Sequence, residues 1–178
     1  MVLLSHAHGD HIGDRKLKAP GAGTCAALET LPAGPNSMTA EVAAAKNAAI
    51  VMTNDMGIFV GTKIQKITGG KPVTFCPQTA GATTVPVAAS CRSNTHLGAS
   101  FIAKMPGNAA GVEISIVYAS HANTVPNSLL SDAQRANFDP DGTGIILGPP
   151  TGYVVKFSNG LTAYLSGDTG IHTEMKSV

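Results

Sequence analysis

Apolar and polar positions alternate most clearly in two stretches of the chain, and both predict β-structure. Val112 to Ala119 reads as a half-buried strand that delivers Ser120-His121 at its end. Tyr153 to Ser166 holds two apolar β runs around Asn159-Gly160, a dipeptide suited to a tight hairpin turn. Shorter apolar runs predict buried strands at Met1 to Leu4, leaving the sheet at Ser5, and at Ala49 to Thr53. Helical patterns lie between them. Ser37 or Thr39 caps an Ala-rich helix running through Asn47, Asn54 opens a short second helix toward Val60, and Leu129, Leu130, Ala133 and Ala136 give helical spacing across Asn127 to Phe138. From Lys63 to Ser90 the pattern predicts short β segments interrupted by Gly69-Gly70 and prolines. Strands mixed with helices, and no internal repeat, predict one α/β domain spanning residues 1–178.

Composition narrows the functional classes. Lys and Arg number 12 and Asp and Glu 11, so the basic excess of a nucleic-acid binder is absent. No apolar stretch approaches the roughly 20 residues of a membrane span. Charged residues make up 13% of the chain, against roughly 25% in an average soluble domain, and Ala, Gly, Thr, Ser and Asn take their place. Low charge and polar uncharged loops favour a periplasmic or secreted protein over a cytoplasmic one. Cys76 and Cys91 bracket the Thr-, Ala- and Pro-rich loop 77–90 and would close it with a disulfide in an exported protein, leaving Cys25 over; three free thiols is the alternative. No C-x-x-C spacing is present, which argues against a cysteine-based zinc site.

The candidate chemistry is concentrated in His6-Ala7-His8-Gly9-Asp10-His11. Side chains two apart share a face of extended chain, so His6, His8 and Asp10 start on one side. Gly9 gives the backbone freedom to curl, which lets His11 join them. Three imidazoles and a carboxylate suit Zn, Fe, Mn or Ni. The spacing is not the helical H-E-x-x-H pattern, so a loop-borne metal site is expected.

The His6-x-His8-x-Asp10-His11 run resembles the signature of the metallo-β-lactamase superfamily of metal-dependent hydrolases. Ser120-His121-Ala122-Asn123 and Ser166-Gly167-Asp168-Thr169-Gly170 follow in that family's order, and the Gly-Asp-Thr-Gly ending is most similar to the ascorbate-6-phosphate lactonase branch. The resemblance implies a four-layer αββα sandwich. It implies His6, His8 and His121 on one metal, Asp10 and His11 on a second, and Asp168 bridging the two. One or two Zn2+ ions are implied, with Mn2+ or Fe as alternatives. It further implies a small-molecule substrate, an ester, lactone, amide such as a β-lactam, or phosphoester, attacked by a metal-activated hydroxide, with Asp10 and Asp168 taking part in catalysis. A di-iron oxidoreductase of the same superfamily shares these ligands.

Members of the family carry strands before the first motif and a further His after the Gly-Asp-Thr segment, whereas five residues precede His6 here and ten follow Asp168. The expectation is a domain lacking its outer strands and last ligand, a weak catalyst prone to self-association through exposed sheet edges. His172 reads as a surface or supporting residue, His96 as an exposed loop residue, and the Gly-, Pro- and Ala-rich stretch 14–35 as a substrate-facing loop. Asn123 reads as satisfying loop backbone, and Tyr153 as a packed aromatic at a strand start.

Overall fold

A computed structural model describes residues 1–12, 38–77, 84–86, 90–93, 96–105, 107–125, 127, 130 and 132–177. The expected loop 14–35 and Cys25 lie outside them. Two sheets dominate. The first is parallel, in the order β1 (Val2–Leu3), β2 (Ile50–Val51), β5 (Cys91–Arg92), β3 (Thr74–Phe75). The second runs β4 (Thr84–Pro86), β6 (Ser100–Lys104), β7 (Val112–Tyr118), β8 (Thr151–Lys156), β9 (Thr162–Leu165), antiparallel except for the β4–β6 pair.

The strands of the first sheet are two residues long, yet Ala49, Ile50 and Val51 are fully buried because both faces of this sheet are covered. On one face, helices α2 (Met38–Ala45) and α3 (Asn54–Ile67) pack Ala40, Ala43, Met56, Val60 and Ile64 against Leu4 and Ile50. On the other, Val51, Cys76 and Cys91 meet Phe101, Ile114, Ile116, Tyr153 and Val155 of the second sheet. Helices, parallel sheet and antiparallel sheet thus form successive layers, and the chain is an α/β protein as its pattern predicts.

Three elements differ from the sequence reading. The helix expected to end near Val60 continues to Ile67, so Lys63 to Ile67 is helical and not β. Met56, Val60 and Ile64, four apart, keep one face buried through the later turns. Among the described residues of 127–138, Asp132–Phe138 is α-helical (α4), while Leu130 is buried in the helix-side core. Strand β6 was not anticipated, although Phe101 and Ala103 alternate inward along it. Elsewhere the hairpin forms as read: Phe157 N–H donates to Leu161 O at 2.8 Å, Gly160 N–H to Phe157 O at 3.0 Å, and Gly160 takes φ +87°. Cys76 and Cys91 are joined by a disulfide between the end of β3 and the start of β5. No helix among the described residues is long and apolar enough to cross a membrane.

Candidate metal centre

The chain leaves β1 at Leu4 and enters a single helical turn, α1 (Gly9–Ile12), closed by His11 N–H and Ile12 N–H donating to His8 O at 3.0 Å each. This turn, rather than a left-handed glycine, swings His11 back toward His6; their ring centroids are 4.2 Å apart. Two other segments then lock the loop. Thr151 N–H donates to Ser5 O at 2.9 Å, Tyr153 Oη–H donates to Leu4 O at 2.7 Å, and Ala7 N–H donates to Asn123 Oδ1 at 2.8 Å. Asn123 is buried, and its amide nitrogen donates to Leu147 O and Gly148 O at 2.9 and 3.1 Å. It satisfies backbone, as its position in the sequence suggested. Tyr153 ties the second sheet to the first. Burial pushes its phenol up to about 12.

His121 and Asp168 arrive from the second sheet, just beyond β7 and β9. Ser120 N–H donates to Thr169 Oγ1 at 2.8 Å and Gly170 N–H to Ser120 O at 3.0 Å, so the two segments hold each other. Gly167 sits at φ +59°, and a Cβ there would lie 2.7 Å from Ser5 Cβ. Only glycine permits that approach of the Asp168 segment to the His loop.

The result is two groups of donor atoms, each lying within 4.8 Å of one another: His6, His8 and His121; and His6, His11 and Asp168. His8 Nδ1 faces His121 Nε2 at 3.2 Å, and His11 Nε2 stands 3.1 Å from Asp168 Oδ2. Asp10 lies outside both groups, with an exposed carboxylate 3.7 Å from His11 Nε2. His6 belongs to both groups and is 0% exposed. Its Nδ1 contacts Ser5 Oγ at 3.0 Å, while its Nε2 is buried with no hydrogen-bond partner and lies 3.9 Å from Asp168 Oδ2. Burial, then the neighbouring His11, His8 and His121, pulls the His6 pKa from 6.5 down to about 4, against the opposing pull of Asp168. The ring is therefore neutral at pH 7. In the tautomer whose Nδ1–H donates to Ser5 Oγ, Nε2 turns a lone pair toward the centre of the cluster.

A buried, unsatisfied imidazole nitrogen costs about 1–3 kcal/mol unless something accepts its lone pair. A divalent cation does so, and the nitrogen-and-carboxylate donor set suits one. The residues present therefore fit a metal. His172 stands apart, its ring against Tyr118 at 5.3 Å between centroids, and His96 is exposed.

No protein-family model and no curated protein sequence matches the chain. A similar solved structure is that of Igni18, described as a novel metallo hydrolase from the hyperthermophilic archaeon Ignicoccus hospitalis KIN4/I, at 19% identity and a TM-score of 0.46. The match covers 98% of this chain and 44% of that one, so the chain spans under half of that protein's length.

Proposed function

We propose that this chain carries the metal centre of a metal-dependent hydrolase acting on a small ester, lactone, amide or phosphoester. The observation that carries the reading is the buried His6 Nε2, unpartnered and shared by two groups of His and Asp donors. His6, His8 and His121 would hold one ion, and His11 and Asp168 a second, with His6 common to the two groups. Zn2+ is the first choice, Mn2+ and Fe the alternatives. A bound divalent ion supplies Lewis acidity, polarising a carbonyl or phosphoryl oxygen and lowering the pKa of water.

The chain's own residues supply position and proton transfer. His11 Nε2 and the Asp168 carboxylate, 3.1 Å apart, would offer two donor atoms side by side to the second ion. The exposed Asp10 is the carboxylate available to accept a proton from an attacking water. Asn123 and Tyr153 fix the loop on which three of the imidazoles ride.

Metal content after dialysis against zinc, manganese or iron, paired with hydrolysis of a lactone, β-lactam and phosphoester panel, tests the reading. His8→Ala should lose about one equivalent of metal, and Asp168→Ala should cost more in the second equivalent than in the first. Wild-type metal content in His8→Ala would overturn the assignment.

A further inference from the structure

The five-stranded sheet ends in two unlike edges. At one, β4 finishes in Pro86, which has no N–H for a further strand. At the other, β9 has no such guard among the described residues, and residues 157–167 contain no charged side chain. Edges of this kind are ordinarily protected by charge, proline or a bulge.

The hydrogen-bond phase of the hairpin fixes which backbone groups of β9 are open. Phe157 and Leu161 form a bonded pair, so in the register Lys156–Thr162, Val155–Ala163, Val154–Tyr164, Tyr153–Leu165 the bonded pairs are those of Ala163 and Leu165. Thr162 and Tyr164 thus turn their N–H and C=O groups away from β8. Leu161, Ala163 and Leu165 share the face of the sheet to which Tyr153 and Val155 contribute core, yet Leu161 is 66% and Leu165 47% exposed. Among the described residues, the inter-sheet core therefore runs out onto β9 without cover.

Leu161-Thr162-Ala163-Tyr164-Leu165 is nearly symmetric about its centre. An antiparallel copy with its axis at Ala163 sets each Leu161 opposite the partner's Leu165 and each Thr162 opposite the partner's Tyr164. That register joins outward-facing backbone to outward-facing backbone and brings no like charges together. We propose that two copies of this chain pair through β9 about a two-fold axis at Ala163, joining their five-stranded sheets into one of ten strands. The interface is isologous and closes on itself.

Sedimentation velocity of the whole chain from micromolar to near-millimolar concentration should show a monomer–dimer equilibrium. Ala163→Lys places two cations across the axis, and Tyr164→Pro removes an outward N–H while leaving the β8 ladder intact. Each should raise the dimer dissociation constant by about tenfold or more, with far-UV circular dichroism unchanged. In a Cys25→Ser background, Ala163→Cys should cross-link under mild oxidation, and Thr162→Cys, which faces the partner's Tyr164, should not. The cysteine pair decides the matter if either edge substitution fails to fold. A parent that stays monomeric, a dimer indifferent to both edge substitutions, or equal cross-linking at 162 and 163 would overturn the proposal.

Discussion

The two sheets deliver candidate ligands by different means. His121 and Asp168 follow β7 and β9, strands of seven and four residues whose ladders aim what comes next. His6, His8 and His11 follow β1, which is two residues long and, among the described residues, pairs with β2 alone. So short a ladder cannot by itself orient three imidazoles. The loop owes its rigidity to groups lent by the second sheet and its connections: Thr151 and Tyr153 on the backbone of Leu4 and Ser5, and Asn123 on Ala7. A site can therefore sit on a weakly paired strand if distant side chains satisfy its backbone.

Asn123→Ala breaks this arrangement most severely. It strands Ala7 N–H and Gly148 O and leaves Leu147 O to the Thr53 hydroxyl, at a cost of about 2–4 kcal/mol, and should weaken metal binding about 10- to 100-fold. Urea denaturation and a metal titration check both figures; unchanged affinity would mean that β1 alone holds the loop.

Tyr153→Phe is the next test. It removes bonds to Leu4 O and Val51 O, the latter at 3.1 Å, for about 1–2 kcal/mol. Its pH dependence is distinctive. The phenol ionises near 10 in the unfolded chain and near 12 in the folded one, so the unfolded chain releases its proton first. Stability contributed below pH 10 is lost as pH rises through 12, by about 3 kcal/mol for a shift of this size. Denaturation across that window should show the parent's advantage over Tyr153→Phe shrinking and then reversing.

Thr169→Val should have the smallest effect. Ser120 N–H loses its acceptor, for about 1 kcal/mol, while metal affinity changes only a few-fold because β7 and β9 still aim His121 and Asp168. A thermal melt and a metal titration measure the two separately. A loss of affinity as large as that of Asn123→Ala would erase the contrast between the sheets.

What could be read beforehand follows the same division. The β7 strand, the Asn159-Gly160 hairpin and the Ala-rich helix have periods or turn residues that identify them locally. The histidine run stands out by composition alone. His121 and Asp168 were reached only through resemblance to the metallo-β-lactamase superfamily, since an isolated His or Asp after a strand carries no local mark of its role. The two-residue strands β3 and β5 are too short to show a period. The last two turns or so of α3 were hidden because Gly61 and Thr62 interrupt a helical pattern that tertiary packing sustains. The bonds of Thr151 to Ser5 and of Thr169 to Ser120 join residues far apart in the chain, and no local window contains them.

Those long-range bonds also bear on how the protein reaches its native state. His6 meets Asp168, Ala7 meets Asn123 and Leu4 meets Tyr153, so each contact closes a loop spanning most of the polypeptide. Contacts of that span carry a high entropic cost and slow folding. Neither half of the chain holds a complete donor group, and the cluster comes into being only when the amino-terminal loop docks on the assembled second sheet. Metal uptake by a refolding sample would thus act as a clock for that docking step.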